Sequence, residues 1–260
     1  MKVILICNQK GGVAKTTTTL AMANILNKSG HKTLIIDTDV QGNTTSQMGA
    51  KIEDTCTLYD VIVEPSKENR CKIEEAIQHT DRGDIIASDP LLERAELDLA
   101  SDSFSAFNLK NAFNESNLYA EYEYVIIDSG PRIDKLLTCA LVATDEVLIP
   151  IEAAPFSLEG LSQVANPIKQ VQQTFNQELR IGGILMTMYD EKTNLSKSIK
   201  EVADKIAESI GTKVFDTFIR KTTKVGEAQS FKQSLNEYAP YATAERDYES
   251  FLEEYLGVEV

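Results

Sequence analysis

Apolar residues in this chain gather in short runs: VILIC at 3–7, TLIID at 33–37, DIIAS at 84–88, YVIID at 124–128, EVLIPI at 146–151 and IGGILMTMY at 181–189. Most of these runs are continuous rather than alternating. A strand with one wet face alternates polar and apolar residues, so continuity predicts strands covered on both faces, as in a parallel sheet. Between the runs the spacing changes. Leu158, Leu161, Val164, Ile168, Val171 and Phe175 step by three or four, and 195–210 follows the same rule, which is the period of one helix face. Strand-like and helix-like segments that alternate in this way predict an α/β fold: a doubly wound, mainly parallel sheet flanked by helices, with right-handed crossovers.

No internal repeat, low-complexity tract or Pro/Gly-rich linker divides the sequence, which reads as one domain over 1–260. The stretch from about 50 to 120 has fewer strand signals and more helix, and reads as a helix-rich elaboration of that domain. At 260 residues folding buries roughly three-quarters of the chain's surface, enough for a large core. The net charge of −14 bears on partners. The chain as a whole repels nucleic acid, so any DNA contact must come from a local basic patch. Cys7, Cys56, Cys71 and Cys139 are widely separated with no C-x-x-C, and Met1-Lys2 runs straight into the first apolar run without a signal peptide. Both features predict a reduced, cytoplasmic protein with isolated buried thiols rather than a disulfide framework. No apolar run approaches the length of a membrane span.

The candidate chemistry starts at Asn8 with NQKGGVAKTTTT. A phosphate loop of the form G-x-x-x-x-G-K-[ST], anchored on Lys15 and Thr16, wants glycine at positions 9 and 14, where this chain has Gln9 and Ala14. The surroundings still favour a phosphate cradle. The loop follows a buried strand and opens a helix from Thr16 to about Ser29, with Gly30 as its stop. Backbone N–H groups along Gly11, Gly12, Val13, Ala14, Lys15, Thr16 and Thr17 then surround an anion at a helix N-terminus. Gly11 and Gly12 supply backbone freedom at shifted positions, and Ala14 costs on the order of 1 kcal/mol if its backbone angle is unusual. Lys15 would reach the β- and γ-phosphates, and the Thr16 hydroxyl would ligate Mg²⁺. Lys10, a second lysine in the loop, is not explained by turn chemistry. Asp37 and Asp39, either side of one residue at a strand's C-terminal edge, are placed to hold Mg²⁺ waters and orient an attacking water. A third carboxylate, Asp128, ends the buried run YVIID and is a Walker B candidate.

K-G-G-x-x-K-T-T, with a lysine before the glycine pair, resembles the deviant Walker A motif of the ParA/MinD group of P-loop ATPases, whose members vary at the position of Ala14. The resemblance implies that Lys10 is the signature lysine, which crosses an ATP-dependent homodimer interface to the partner's nucleotide. DTDVQGN (37–43) is similar to the family's D-x-D-P-Q-G-N, with Val40 replacing proline. That likeness implies that Asp39 positions or activates the lytic water and that Asp37 belongs to the outer shell of the metal, beside Thr16 and Asp128. Ser129-Gly130-Pro131 departs by one proline from the D-x-P-P that usually follows Walker B. MTMYDEKTNLS (186–196) and IRKTTKVGEAQS (219–230) resemble further ParA-specific segments, which MinD-type members lack in full form. Arg220, Lys221 and Thr222 stand where the family has P-R-N, residues that help hold the base, so the resemblance puts Arg220 and Thr222 at the nucleotide. The likeness runs from Asn8 to the last helix.

Between 213 and 232 lie Lys213, Arg220, Lys221, Lys224 and Lys232 against only Asp216 and Glu227, a local reversal of sign that Lys192, Lys197 and Lys200 extend if the two segments adjoin. Such a patch touches phosphates without reading sequence. Lys192, Lys221 and Lys224 fall where the family's motif carries arginine, and with Arg220 they form the expected surface for non-specific DNA. The resemblance further implies a weak ATPase that a ParB-like centromere-binding protein stimulates, and a nucleoid-associated location. Three other readings compete: a MinD-like ATPase positioning protein cargo, an iron–sulfur ATPase, and a slow nucleotide-gated regulator. Against membrane attachment, the apolar stripe Tyr248, Phe251, Leu252 and Tyr255 is backed by Glu245, Asp247, Glu249, Glu253 and Glu254, a face that acidic lipid repels. Against a cluster, no cysteine follows Cys139.

Overall fold

The apolar runs become strands of one sheet: β1 (Lys2–Ile6), β2 (Thr33–Asp37), β3 (Ile77–Thr80), β4 (Gly83–Ile86), β5 (Tyr124–Asp128), β6 (Glu146–Glu152), β7 (Arg180–Tyr189) and β8 (Val214–Arg220). They belong to a computed structural model that describes residues 1–63, 69–154 and 157–258, apart from the side chains of Ser101 and Glu159. The strand order is β3-β4-β2-β5-β1-β6-β7-β8. Only β3, antiparallel to β4, breaks the parallel pattern. β3 and β8 are the two strands with no counterpart among the expected runs. Both lie at sheet edges, where partial exposure leaves a mixed composition instead of a continuous apolar run.

The central strands are apolar throughout because each feeds two cores. Val3 and Leu5 of β1, Leu34 and Ile36 of β2, and Val125 and Ile127 of β5 point to one face. Ile4, Ile6, Ile35 and Ile126 point to the other. The first face is covered by the helices Lys135–Ala143 and Ser157–Thr174, the second by Lys15–Lys28 and Thr243–Leu256. Fully burying each such side chain contributes about 1.5–3 kcal/mol, so both layers are tightly specified.

The last helix packs on the domain as its stripe requires, with Tyr248, Phe251 and Leu252 fully buried. Two acids expected on its solvent face are buried as well, Glu245 (2% exposed) and Asp247 (8%). Asp247 is drawn inward by Arg220. Among the described residues no helix is long and apolar enough to cross a membrane.

The thiols need a second correction. Cys7 and Cys139 are buried and free, but Cys56 and Cys71 are half-buried and joined in a disulfide. Beside the helix Leu58–Ile62 the Cys71 N–H reaches the Asp60 carbonyl at 3.2 Å, and the two cysteine Cα atoms come within 6.4 Å. A separation of 15 residues gives no hint of that return.

Candidate functional site

β1 lies between β5 and β6, so the strand order reverses at the loop that follows it. In open α/β sheets such a switch point opens a crevice at the strands' C-terminal ends. The register sets Asp37 of β2 opposite Asp128 of β5, and Ile6 of β1 opposite the same aspartate. The loop 8–14 therefore leaves β1 directly above two carboxylates.

Asn8, 1% exposed, anchors this loop. Its Nδ2 donates to the Pro150 carbonyl at 2.8 Å, and its Oδ1 accepts from the Lys10 N–H at 3.0 Å. Val13 is fully buried and its carbonyl accepts from Thr187 Oγ1 at 3.2 Å. Ala14 adopts φ 68° and ψ 28° immediately before the first helix. That is the left-handed conformation for which the missing glycine is suited, so alanine here costs about 1 kcal/mol.

Lys15 is 8% exposed and reaches back across the loop, its Nζ donating to the Lys10 carbonyl at 3.3 Å. Burial holds its proton affinity below the ordinary lysine range, and the charge of Asp128 partly restores it. Thr16 Oγ1 donates to Asp128 Oδ2 at 2.7 Å, and Thr44 Oγ1 donates to the same oxygen at 2.6 Å. The other oxygen, Asp128 Oδ1, is buried with no hydrogen-bond partner. Asp37 is spoken for at both oxygens: Oδ1 accepts from the Asp39 N–H (3.0 Å), Oδ2 from the Thr45 N–H (2.8 Å) and hydroxyl (2.7 Å). Asp39 is half-buried and faces the cavity. Its carbonyl is held by Ser88 Oγ at 2.6 Å, and a Cβ on Gly130 would lie 3.3 Å from its Oδ1.

Of these groups, Ala14, Lys15, Thr16 and Asp39 line a cavity of about 620 Å³, whereas Asp37 and Asp128 are not part of its lining; its size suits a nucleotide-scale ligand. Gly11, Gly12, Ala14, Lys15, Thr16, Thr17 and Asp39 line it together with Met188, Ile219, Arg220, Thr222, Val225 and Gln229, whose Nε2 donates to Thr17 Oγ1 at 3.0 Å. Lys10 and Val13 are not part of the lining. Lys10 instead turns to its own chain, with Nζ 3.0 Å from both Glu152 Oε2 and Ser157 Oγ.

The basic residues divide by their partners. Arg220 Nε donates to both Asp247 oxygens (3.1 and 3.0 Å), its Nη2 to Oδ1 (2.6 Å) and its backbone N–H to Oδ2 (2.9 Å). Lys224 lies 2.7 Å from Glu227. Lys192 and Lys221 are exposed and form no ion pair with the other described residues. The two basic segments do adjoin: Tyr189 pairs with Arg220, and the Lys221 N–H reaches the Tyr189 carbonyl at 3.4 Å.

Several residues of the site had no role assigned from the sequence: Asn8, Thr44, Thr45, Ser88, Glu152, Ser157 and Asp247. The position of Thr44, directly after QGN, was a usable signal for it. Asp247 had none, since only tertiary packing brings it to a residue 27 positions away.

Comparison with known proteins fits this geometry. A family model described as an AAA domain matches residues 1–181. The chromosome partitioning protein ParA of Caulobacter vibrioides is 34% identical over 89% of this chain and 85% of its own length. The sporulation initiation inhibitor protein Soj of Bacillus subtilis is 35% identical over 92% of each. Among solved structures, a putative plasmid partition protein from Borrelia burgdorferi bound to AMPPNP is 26% identical, with a TM-score of 0.78 over 98% of both chains.

Proposed function

Because the chain belongs to the ParA/Soj family of partitioning ATPases, we propose that it hydrolyses ATP to drive a dimerisation cycle that partitions DNA. One observation carries this reading: Lys15, Thr16 and Asp128 meet beneath a glycine loop, and Asp128 keeps one buried oxygen without a partner. Together with the Thr16 hydroxyl, that oxygen makes an all-oxygen donor set, which suits a hard cation such as Mg²⁺. Asp37 would stand in its outer shell. When bound, Mg²⁺ neutralises charge between the β- and γ-phosphates.

The chain's own groups do the rest. Backbone amides of the loop and the helix N-terminus bind the phosphates, and Lys15 exchanges the Lys10 carbonyl for phosphate oxygens. Asp39, free of a strong partner at Oδ2, orients the attacking water. Lys10 leaves Glu152 and Ser157 and reaches the nucleotide of a second copy, so the triphosphate joins two protomers. Lys192, Lys221 and Lys224 then bind DNA phosphates without reading sequence, with Arg220 and Lys224 lending less than the other two because Asp247 and Glu227 already hold their charges. A ParB-like partner accelerates hydrolysis and releases the dimer.

The test separates nucleotide binding from assembly. With saturating ATP–Mg²⁺, the Asp39→Ala chain is expected to sediment as a dimer, and adding Lys10→Ala is expected to return it to a monomer. A monomer in the first case, or an undisturbed dimer in the second, would refute the reading.

A further inference from the structure

We propose that Cys56 and Cys71 are a reversible thiol–disulfide exchange site, open to small disulfides and thiols, whose state sets how firmly the segment carrying Asp39 is held. Three observations carry it. The first is access. Cys7 and Cys139 are buried and free, with burial pushing their thiols up to about 11 and about 12, so neither forms a reactive thiolate readily. Cys56 and Cys71 are only half-buried and are already paired.

The second observation is what the bond holds at one end. From Asp39 to Cys56 the chain forms no strand, only the short helix Asn43–Met48 and loops. Non-covalent contacts anchor this stretch along its length, among them Lys51 with Gln78 and the Gln47 carbonyl with Arg82. The disulfide encloses residues 56–71 and ties the far end of the 39–56 stretch to Cys71, so its removal takes one covalent restraint from that end.

The third is the path to the site. Next to Cys56, Thr57 Oγ1 donates to Asp60 and the Leu58 N–H bonds the Ala87 carbonyl at 3.0 Å. The adjoining Ser88 donates its hydroxyl to the Asp39 carbonyl at 2.6 Å and its N–H to Thr45 Oγ1 at 2.8 Å. Thr45 in turn holds Asp37. The same short strip, 87–88, therefore bonds both the cysteine-bearing turn and the aspartate-bearing loop.

The chemistry balances with an oxidised low-molecular-weight disulfide as the oxidant. One cysteine thiolate attacks it and releases one small thiol, forming a mixed disulfide. The second cysteine displaces the other small thiol and closes Cys56–Cys71. Two electrons pass to the small disulfide, and the two cysteine protons end on its thiols.

Wild-type protein equilibrated with oxidised or reduced glutathione provides the test. Intact mass and thiol counting are expected to show two free thiols in the oxidised form and four in the reduced form. Hydrogen exchange at 49–57 is expected to speed up at least tenfold on reduction, and ATP turnover to fall at least twofold. The Cys56→Ser/Cys71→Ser double variant, which can form neither the bond nor a mixed disulfide there, should show the exchange and turnover of reduced wild type in both buffers. Four thiols after oxidation, or one zinc ion held by the reduced protein through Cys56, Cys71 and the neighbouring Glu75, would overturn the proposal. So would exchange and turnover that are the same in both redox states. Thiol counts and exchange do not depend on ATP hydrolysis, so failure of the ATPase reading would be recognised separately.

Discussion

Gly160 lies in the first turn of the helix Ser157–Thr174, against the phosphate loop. A Cβ at this position would stand 2.9 Å from Asn8 Oδ1 and 3.6 Å from Lys10 Cβ. Replacing Gly160 with alanine sets two effects against each other. Alanine favours the helix by up to about 1 kcal/mol. Asn8, however, is buried and bonded at both ends, to Pro150 and to the Lys10 N–H. Moving it breaks at least one of these bonds, and a buried polar group left unpaired costs about 1–3 kcal/mol. The penalty wins, for a net loss of about 1–2 kcal/mol. In a chain of this size that lowers Tm by roughly 2–8 °C. Because Asn8 fixes the backbone at Lys10, ATP affinity should fall with stability. Thermal denaturation with and without ATP–Mg²⁺ measures both. A Gly160→Ala protein as stable as wild type or more so would mean that helix propensity dominates and that the loop does not depend on this close approach.

Burial pushes both facing carboxylates up: Asp37 to about 7, with the charge of Asp128 adding to it, and Asp128 to about 6, against the two threonine hydroxyls. Folded protein then binds more protons than unfolded chain between about pH 4 and 7, so the pair's contribution is full below about pH 4, declines across that window and is gone once pH has risen through the folded values. Urea midpoints of nucleotide-free protein should decline across that window more steeply than those of Asp37→Asn, and parallel profiles would count against the assignment. On DNA, Lys221→Ala should weaken binding to any sequence and reduce the slope of log affinity against log salt by about 1. Arg220→Ala should change that slope less, because Asp247 already neutralises the guanidinium; an equal change would show that Arg220 reaches phosphate.

The sheet's interior was legible because strands buried on both faces leave uninterrupted apolar runs, and β1, β2, β5, β6 and β7 all left one. β3 and β8 were not, because an edge strand is half wet and its composition fits a loop equally well. The loop 8–14 could be read in spite of its two missing glycines, since strand, turn and helix start occur in the right order. Asp247 and Glu245 were placed on the wrong face for a different reason. A charged residue near a helix start is normally solvated, and only contacts made by other elements keep these two inside. The same limit hid the Cys56–Cys71 bond, which depends on Cys71 returning to the helix Leu58–Ile62.

Three aspartates close to one cavity could have been interchangeable, and their hydrogen bonds show that they are not. Asp37 uses both oxygens to fasten 39 and 45, the two ends of the loop that carries Asp39. It is not part of the cavity lining, so it acts on a ligand through the loop's position or through water. Asp128 has the opposite arrangement: two hydroxyls crowd one oxygen and leave the other buried and unmatched. A buried carboxylate oxygen without a partner is costly in the empty protein, and a hard cation is the ligand whose charge repays that cost most directly. Asp39 alone is half-exposed, with one oxygen taken by the Gln41 N–H. Hydrogen bonding separates the strut Asp37 from the proposed metal partner Asp128, both fully buried, and partial exposure sets Asp39 apart from them. Only Asp39 can meet a solvent molecule without the fold opening, and this accessibility supports its proposed hydrolytic role independently of its motif.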